Sequence, residues 1–524
     1  MKRYSAVCVL ALTAGILAHT SAPRQPSQTP SASETTSALT RDVVIISDLH
    51  MGLGKNQATG KWHATEDFRW PNAFRGFLDA ISIEGRNRVD LVIAGDFLEL
   101  WQPPNDVVCK GPNSSYGCTI DEMKEIAAAV IKAHSKELEA LRSFSARGQN
   151  CLYIIPGNHD ASLVIDSVWS LLADALNSEE GCVRRAENGI WVSHDGLVVA
   201  EHGHQIGEEP NKYKNWPNIT ASIDGVTYIE RPWGERFVQK LYNEQERMYP
   251  LIDNLSPSSA GVRYRATDRG FFGSAADLGK FLRFNLLETS LRQKVQILGE
   301  PEVGEEWSVK KGRQLGHKLF LGALDQKDPF AAELRSSPGE WQELRTELDR
   351  LAQDLSDDEV LALCDQLAIR GADDSCAETR LGSASSRLLF SRTRVVKKHV
   401  RERWKKQKGV RVFVYGHTHS FEKEWQAKVA GAVSVTVLNS GAFQRVIDDA
   451  AFLRLAEERQ ISPSQLLQSH SLEELPPCYT SVHVTRKGGK LVRELRAWHM
   501  PEDGVGEFKD PCCSECADVG HGCY

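Results

Sequence analysis

The sequence predicts an α/β protein with mixed sheets, whose strand-rich parts are separated by a large helical insertion. Three observations carry this. Short apolar runs recur along the chain, each ending in polar residues. Helical repeats lie between the early runs, and helical periodicity dominates a central stretch from about 206 to 387.

Taken in order, the first element is an address. Lys2 and Arg3 precede an apolar stretch at 6–18 and small residues at Thr20, Ser21 and Ala22, the order of a signal peptide over 1–22. A buried N-terminal helix is the alternative. Residues 23–41 are rich in Ser, Thr, Pro and Ala, and read as a disordered linker. The chain is therefore expected to be exported: periplasmic, cell-surface or secreted.

Strand runs follow. Residues 43–47 lead into Asp48-Leu49-His50, 89–94 into Gly95-Asp96, and 151–155 into Pro156-Gly157-Asn158-His159-Asp160. Residues 198–200 lead into Glu201-His202-Gly203-His204, 410–415 into Gly416-His417-Thr418-His419, and 433–438 into Asn439-Ser440-Gly441. The clearest helix opens with the capping box Thr119/Glu122 and puts Met123, Ile126, Ala127, Val130, Ile131, Leu138 and Leu141 on one face. In the insertion, 281–298, 341–355 and 360–367 show the same periodicity. A basic segment, 392–408, spaces Val396, Val400 and Trp404 as an amphipathic helix with a solvated cationic face, the alternative being an anion or membrane-surface contact. Lys487-Gly488-Gly489-Lys490 marks a late hairpin, which makes the sheets mixed.

Composition excludes several classes. The 524 residues are 41% hydrophobic and 25% charged, ordinary for a folded chain. The formal charge, 63 − 70 = −7, gives no electrostatic reason to expect nucleic acid as a partner. No apolar run reaches the roughly 20 residues of a membrane span. Of twelve cysteines, eleven follow Cys8. Cys109 and Cys118 bracket one loop and Cys364 and Cys376 another, so each pair is a candidate disulfide. Cys478 is expected to pair within the tail cluster Cys512, Cys513, Cys516 and Cys523. The Cys513–Cys516 spacing also resembles half a zinc ribbon, but no second half follows.

The strand ends hold the chemistry. Loops at the carboxyl ends of strands are where α/β folds bind ligands. Here they carry Asp48, His50, Asp96, Asn158, His159, His202, His417 and His419. Imidazole and carboxylate ligands suit divalent Mn, Fe, Zn or Ni. Leaving His159 aside, the seven remaining ligands exceed the needs of one ion, so two divalent metal ions sharing a carboxylate is the economical reading.

In these motifs and their order, the sequence resembles the calcineurin-like metallophosphoesterase superfamily. The resemblance covers roughly 42–205 and 388–500, with 206–387 as a helical cap between them and 501–524 as a Cys-rich tail. It implies a four-layer αββα sandwich of mixed sheets. It also implies that Asp48, His50, Asp96 and His419 hold one metal, and that Asp96 bridges to a second held by Asn158, His202 and His417. Two such ions would make hydroxide available near neutral pH and bind a phosphoryl oxygen. His159 would protonate the leaving oxygen, oriented by Glu99, with Asp160 as the other candidate carboxylate.

Asp48-Leu49-His50-Met51-Gly52 and the Gly-Asp-x-x-Glu-x-Trp of 95–101 further resemble the UDP-2,3-diacylglucosamine pyrophosphatases, which carry Asp where this chain has His204. His204 is either a phosphate-contacting or supporting group, or a surface histidine. Asn439-Ser440-Gly441 is expected to support the site. The implied activity is hydrolysis of a phosphoester or phosphoanhydride in a phosphorylated small molecule or a lipid-linked substrate. The alternatives are a non-catalytic scaffold that binds a partner protein, and a pyrophosphatase acting on a nucleotide-linked lipid or sugar. The aromatics Trp216, Tyr228, Trp233, Phe237, Tyr242, Phe271 and Phe272 are read as packing the insertion's own helices, with a substrate wall as the alternative.

Overall fold

In strand β1 (Asp42–Ile46) neighbouring residues serve different cores: Val43 and Ile45 pack on one side of the sheet, Val44 and Ile46 on the other. Side chains alternate along a strand, so a strand covered on both faces must be apolar throughout. That is why the runs in the sequence are uninterrupted. The computed structural model describes residues 41–102, 109–177, 181–206, 212–232, 305–323, 341–355 and 396–511, with short breaks at 57, 111–112, 114–115 and 502–503, and short runs such as 248–252 and 254–256 and single positions elsewhere.

The remaining strands are β2 (Val89–Ala94), β3 (Cys151–Ile155), β4 (Val183–Arg185), β5 (Ile190–Val192), β6 (Val198–Glu201), β7 (Thr220–Ile223), β8 (Val226–Ile229), β9 (Leu255–Ser256), β10 (Val412–Tyr415), β11 (Phe421–Ala430), β12 (Val433–Ser440), β13 (Ile447–Asp448), β14 (Cys478–Lys487), β15 (Lys490–His499) and β16 (Glu507–Lys509). One sheet runs β16-β15-β14-β1-β2-β3-β4 and the other β11-β12-β10-β6-β5. The strands β1 to β4 are parallel, as are β6, β10 and β12, while β14 runs antiparallel to β1 and β5 to β6. Both sheets are therefore mixed.

Between the sheets, Val43, Ile45, Val92, Ala94 and Ile155 meet Val198, Ala200, Val412, Val414 and Leu438. At roughly 1.5–3 kcal/mol for each fully buried aliphatic side chain, this inner layer binds the two sheets firmly. The outer face of the first sheet is covered by α1 (Pro71–Glu84), α2 (Ile120–Ala133), α3 (Ser135–Ser145) and α4 (Asp166–Ala175), through Phe74, Phe77, Ile126, Val130, Leu141 and Leu172. The outer face of the second sheet, with Val199, Phe413, Tyr415 and Val437, is covered by Val396, Val400 and Trp404 of the helix at 396–406. The layers are helix, sheet, sheet, helix, the αββα order. No helix among the described residues is long and apolar enough to cross a membrane.

Local departures from the sequence reading have physical causes. The Thr119/Glu122 capping box forms, but α2 stops at Ala133, so Leu138 and Leu141 lie on a second helix, α3. The break is filled by buried His134, 3.2 Å from Glu66 and 3.5 Å from Glu137. Burial disfavours its charge, yet the two carboxylates raise its pKa to about 10. A folded pKa above the unfolded value stabilises fully below about pH 6.5, and that stabilisation is lost as pH rises toward 10. In urea denaturation, the stability gap between wild type and His134→Gln should therefore shrink between about pH 6 and pH 10. A gap that stays constant would show that His134 is not charged.

The cysteines pair as Cys109–Cys118, Cys364–Cys376 and Cys151–Cys182, and Cys478 is also disulfide-bonded. The Cys151–Cys182 bridge was not anticipated. It joins neighbouring parallel strands, because the pairing of Leu152 with Val183 puts the two preceding cysteines side by side. The tail cysteines lie outside the described residues, as do 1–40 and 281–298 apart from buried Leu282.

Within 206–387 the described residues include α5 (Glu305–Leu315), α6 (His317–Ala323) and α7 (Gln342–Asp354), but also a hairpin of β7 and β8 turning at Asp224-Gly225. Of 360–367, only Val360, Leu363, Cys364 and Leu367 are described, all buried. Tyr228 sits in that hairpin rather than on a helix, bridging to Thr119. The pairing of β9 with β13 ties this region to the later part of the chain. Arg41, at the predicted end of the linker, is already anchored to Asp90 at 2.6 Å.

Candidate metal centre

Each candidate metal ligand sits just past a strand end, whereas Asn439 and Ser440 form the last residues of β12. Asp48 follows β1, Asp96 follows β2, Asn158 follows β3, His202 follows β6, and His417 and His419 follow β10. Because β1, β2 and β3 are parallel, as are β6 and β10, their carboxyl ends open on one rim. The loops there are stitched together. Asp48 N–H donates to the Gly95 carbonyl (3.0 Å), His50 N–H to the Asp96 carbonyl (3.0 Å) and Gly416 N–H to the His202 carbonyl (2.8 Å).

The backbone is strained at the site itself. Asp48 (φ 55°), His50 (48°), Asp96 (49°), His417 (73°) and His419 (56°) all occupy the left-handed region. Each such residue costs about 1 kcal/mol or more and persists only where its surroundings over-determine it. Here the interloop hydrogen bonds do so. The Asp48 carboxylate is itself an anchor, accepting from Ser47 Oγ and from the His417 N–H.

The side chains converge. His202 Nε2 lies 2.9 Å from Asn158 Oδ1, 3.0 Å from Asp96 Oδ2 and 3.2 Å from His417 Nδ1. His50 Nε2 lies 3.1 Å from His419 Nε2 and 3.8 Å from Asp96 Oδ2, and His419 Nε2 is 3.5 Å from Asp48 Oδ1. Three groups have the spacing to hold a metal: Asp48, His50 and His419; Asp96, His202 and His417; and His50, Asp96 and His159. Asp96 joins the second to the third, and His50 the first to the third.

The donor set fits divalent ions. His202 Nδ1 donates to the Ala94 carbonyl at 2.9 Å, and His50 Nδ1 to Glu99 at 3.0 Å, so in both neutral rings the Nε2 lone pair faces the cluster. Lone pairs and carboxylate oxygens thus gather about 3 Å apart, which is the edge of a coordination shell with bonds of about 2.1 Å. Without a cation between them they repel.

The titration behaviour shows the same demand for positive charge. Burial disfavours protonation of His50, but Glu99 and Asp96 raise its pKa to about 10. Burial likewise opposes protonation of His202, and Asp96 raises its pKa to about 9. Burial, reinforced by His202, holds His417 at about 3. Burial raises Asp48, whereas Asp96 is held well below its usual range against burial, chiefly by His202 and His159.

His159 stands beside this cluster. Its backbone N–H donates to Asp96 Oδ1 (2.8 Å) and its Nδ1 pairs with Glu99 Oε2 (2.5 Å). Glu99, buried yet held to a pKa of about 2 by His159 and His50, therefore serves both histidines. Asp160 does not reach His159. It accepts from the backbone N–H groups of Gly157, Phe97 and Leu98 and so locks two loops together. Burial, with Asp96 nearby, raises its pKa to about 6.

His204, left open between a site and a surface role, is buried. It lies 5.4 Å from His202 and packs edge-on against Trp216 at 4.6 Å, and burial pushes its pKa well down. Asn439 ties the loops of this rim, its amide donating to Gly416 O and Thr418 Oγ1. Behind the site, Glu201 accepts from His399 and Arg403, which fastens the 396–406 helix to β6. Arg403 and His399 thus point inward from a helix expected to show a solvated cationic face. Of the aromatics singled out in the sequence, Trp216 lies by His204, while Trp233, Phe237, Tyr242, Phe271 and Phe272 fall outside the described residues.

Sequence reasoning missed Ser47, Trp101 and Tyr213. Trp101 lies flat on the His159 ring, 4.0 Å between centroids at 27°. It was visible in the 95–101 motif but without a role, and Tyr213 carried no signal at all.

Residues 42–269 match the family model for calcineurin-like phosphoesterases. The matched stretch holds Asp48, His50, Asp96, Asn158, His159 and His202, and ends before His417 and His419. It does not single out the UDP-2,3-diacylglucosamine pyrophosphatase branch. Searches of curated proteins and of solved structures found no match.

Proposed function

Because this chain belongs to the calcineurin-like phosphoesterase superfamily, we propose that it is an exported dinuclear-metal hydrolase that cleaves a phosphoester or phosphoanhydride bond. The observation that carries the reading is convergence: ligand-type atoms from 48–202 and from 417–419 lie about 3–4 Å apart in one cluster. Asp48, His50, Asp96 and His419 would hold one ion, and Asp96, Asn158, His202 and His417 the other. When bound, the ions supply Lewis acidity at the phosphoryl oxygen and a hydroxide nucleophile near neutral pH.

The protein's own residues do the rest. The Ala94 carbonyl and Glu99 fix the tautomers of His202 and His50, so that both present lone pairs without rotating. His159, with Nδ1–H committed to Glu99, delivers the proton on Nε2 to the departing oxygen, and Glu99 stabilises the charged ring before transfer. Export is supported by the Cys109–Cys118, Cys151–Cys182 and Cys364–Cys376 disulfides, which persist in oxidising compartments.

Elemental analysis of the purified protein should find close to two transition-metal ions per chain. His417→Ala should lose one of them and nearly all turnover on aryl phosphate monoesters and diesters. A wild-type chain that takes up no metal and hydrolyses neither substrate, yet holds a partner protein, would overturn the reading in favour of a scaffold.

A further inference from the structure

His159 is confined from several directions, and one restraint reaches it from outside the motifs. Glu99 holds Nδ1, the His50 ring meets it edge-on at 4.4 Å, and Trp101 covers its face. Trp101 is itself clamped, since its backbone N–H donates to the second Glu99 oxygen, Oε1, at 2.7 Å. From outside the motifs, the Tyr213 hydroxyl donates to the Asn158 carbonyl at 3.3 Å. Two restraints therefore meet at His159: Glu99 and Trp101 hold its ring, and Tyr213 holds the carbonyl of Asn158, the residue before it. Both aromatic side chains are buried.

Tyr213 belongs to the stretch that follows β6, not to any motif. The chain after it is fastened nearby, since Ile229 N–H donates to the Cys118 carbonyl (2.8 Å) and Arg231 N–H to the Tyr116 carbonyl (3.1 Å). The same region thus supplies Tyr213 and docks on the disulfide loop that comes shortly after Trp101.

We propose that Trp101 and Tyr213 are positioning residues for His159: Trp101 fixes the plane of the imidazole, and Tyr213 fixes the backbone just before it through the Asn158 carbonyl. The proposal rests on the reading of His159 as the leaving-group acid. One hydrogen bond at Nδ1 leaves the ring free to swing about that contact, and a flat stack removes the swing. Proton transfer in the transition state depends on placement, so a misdirected ring loses catalysis without losing substrate or metal.

The test compares phenyl phosphate, whose leaving group needs protonation, with 4-nitrophenyl phosphate, whose leaving group does not. The methyl diesters of the same phenols replace them if the wild type cleaves only diesters. His159→Ala is expected to lose about 10²–10⁴-fold on the phenyl substrate and far less on the nitrophenyl one. Trp101→Ala is expected to lose about 10–100-fold on the phenyl substrate and less than about threefold on the other, with metal content unchanged. Trp101→Phe, which keeps a flat face, should recover most of the loss. Added to His159→Ala, Trp101→Ala should change little, because its effect runs through that ring.

If His159→Ala loses equally on both substrates, the acid role fails, and this proposal with it. If His159→Ala is selective but Trp101→Ala is not, or if the two losses multiply, the positioning role alone is overturned. Should Trp101→Ala fail to fold, Tyr213→Phe, which deletes one oxygen, carries the same comparison with an expected selective loss of several-fold.

Discussion

Asp96→Asn should lower turnover by at least about 10³-fold while leaving the metal-free fold intact. The two carboxylate oxygens have separate tasks: Oδ1 accepts the His159 N–H at 2.8 Å, and Oδ2 faces His202 at 3.0 Å and His50 at 3.8 Å. An amide cannot do both. With its nitrogen toward the histidines it presents hydrogens where a ligand lone pair is needed. Turned the other way, it sets an N–H against the His159 N–H. The side chain is buried and the substitution nearly isosteric, so the metal-free protein should melt within a few degrees of wild type. The packing is kept, and whatever the melting temperature loses comes from taking the carboxylate away from the His202 and His50 rings. The measurements are turnover, bound metal and melting in chelator. An Asp96→Asn protein that keeps two ions and a tenth of its activity would remove Asp96 from the bridging role.

Gly157→Ala should be nearly as damaging, for a steric reason. A Cβ at Gly157 would stand 2.9 Å from Asp96 Cγ and closer still to its Oδ1 and backbone N–H. A side-chain tip could move aside, but the Asp96 backbone cannot. It sits at φ 49°, and its carbonyl accepts from Leu49 (2.9 Å) and His50 (3.0 Å). The added methyl therefore forces the loop carrying Asn158 and His159 away from the one carrying Asp96. A shift of about 1 Å at such a site costs on the order of 10²-fold in rate, and the strain should cost about 1–3 kcal/mol of stability. Turnover and urea denaturation check both. Wild-type activity in Gly157→Ala would mean that these loops are looser than their contacts imply.

Legibility in the sequence follows the range of each interaction. Apolar runs such as 89–94 and 410–415 announce themselves because strands covered on both faces admit nothing polar, and the polar residues after them mark where cover ends. The Thr119/Glu122 box and the Gly488-Gly489 turn are equally local, and both form. Features that depend on neighbours remote in sequence are not legible this way. The end of α2 is set by His134 reaching Glu66 across the fold, and the Cys151–Cys182 bridge by the register of two parallel strands.

By itself the sequence determined the α/β layering, the order of the polar strand ends and the donor types they carry, because periodicity and residue chemistry are properties of short segments. Tertiary structure alone decided that Asp48, His50, Asp96, His417 and His419 adopt left-handed backbone, that Glu99 serves two histidines, that Trp101 stacks on His159 and that Tyr213 reaches the Asn158 carbonyl. A strained backbone or a stacked ring is held by partners from other strands, and no local pattern of residues specifies where those partners will stand.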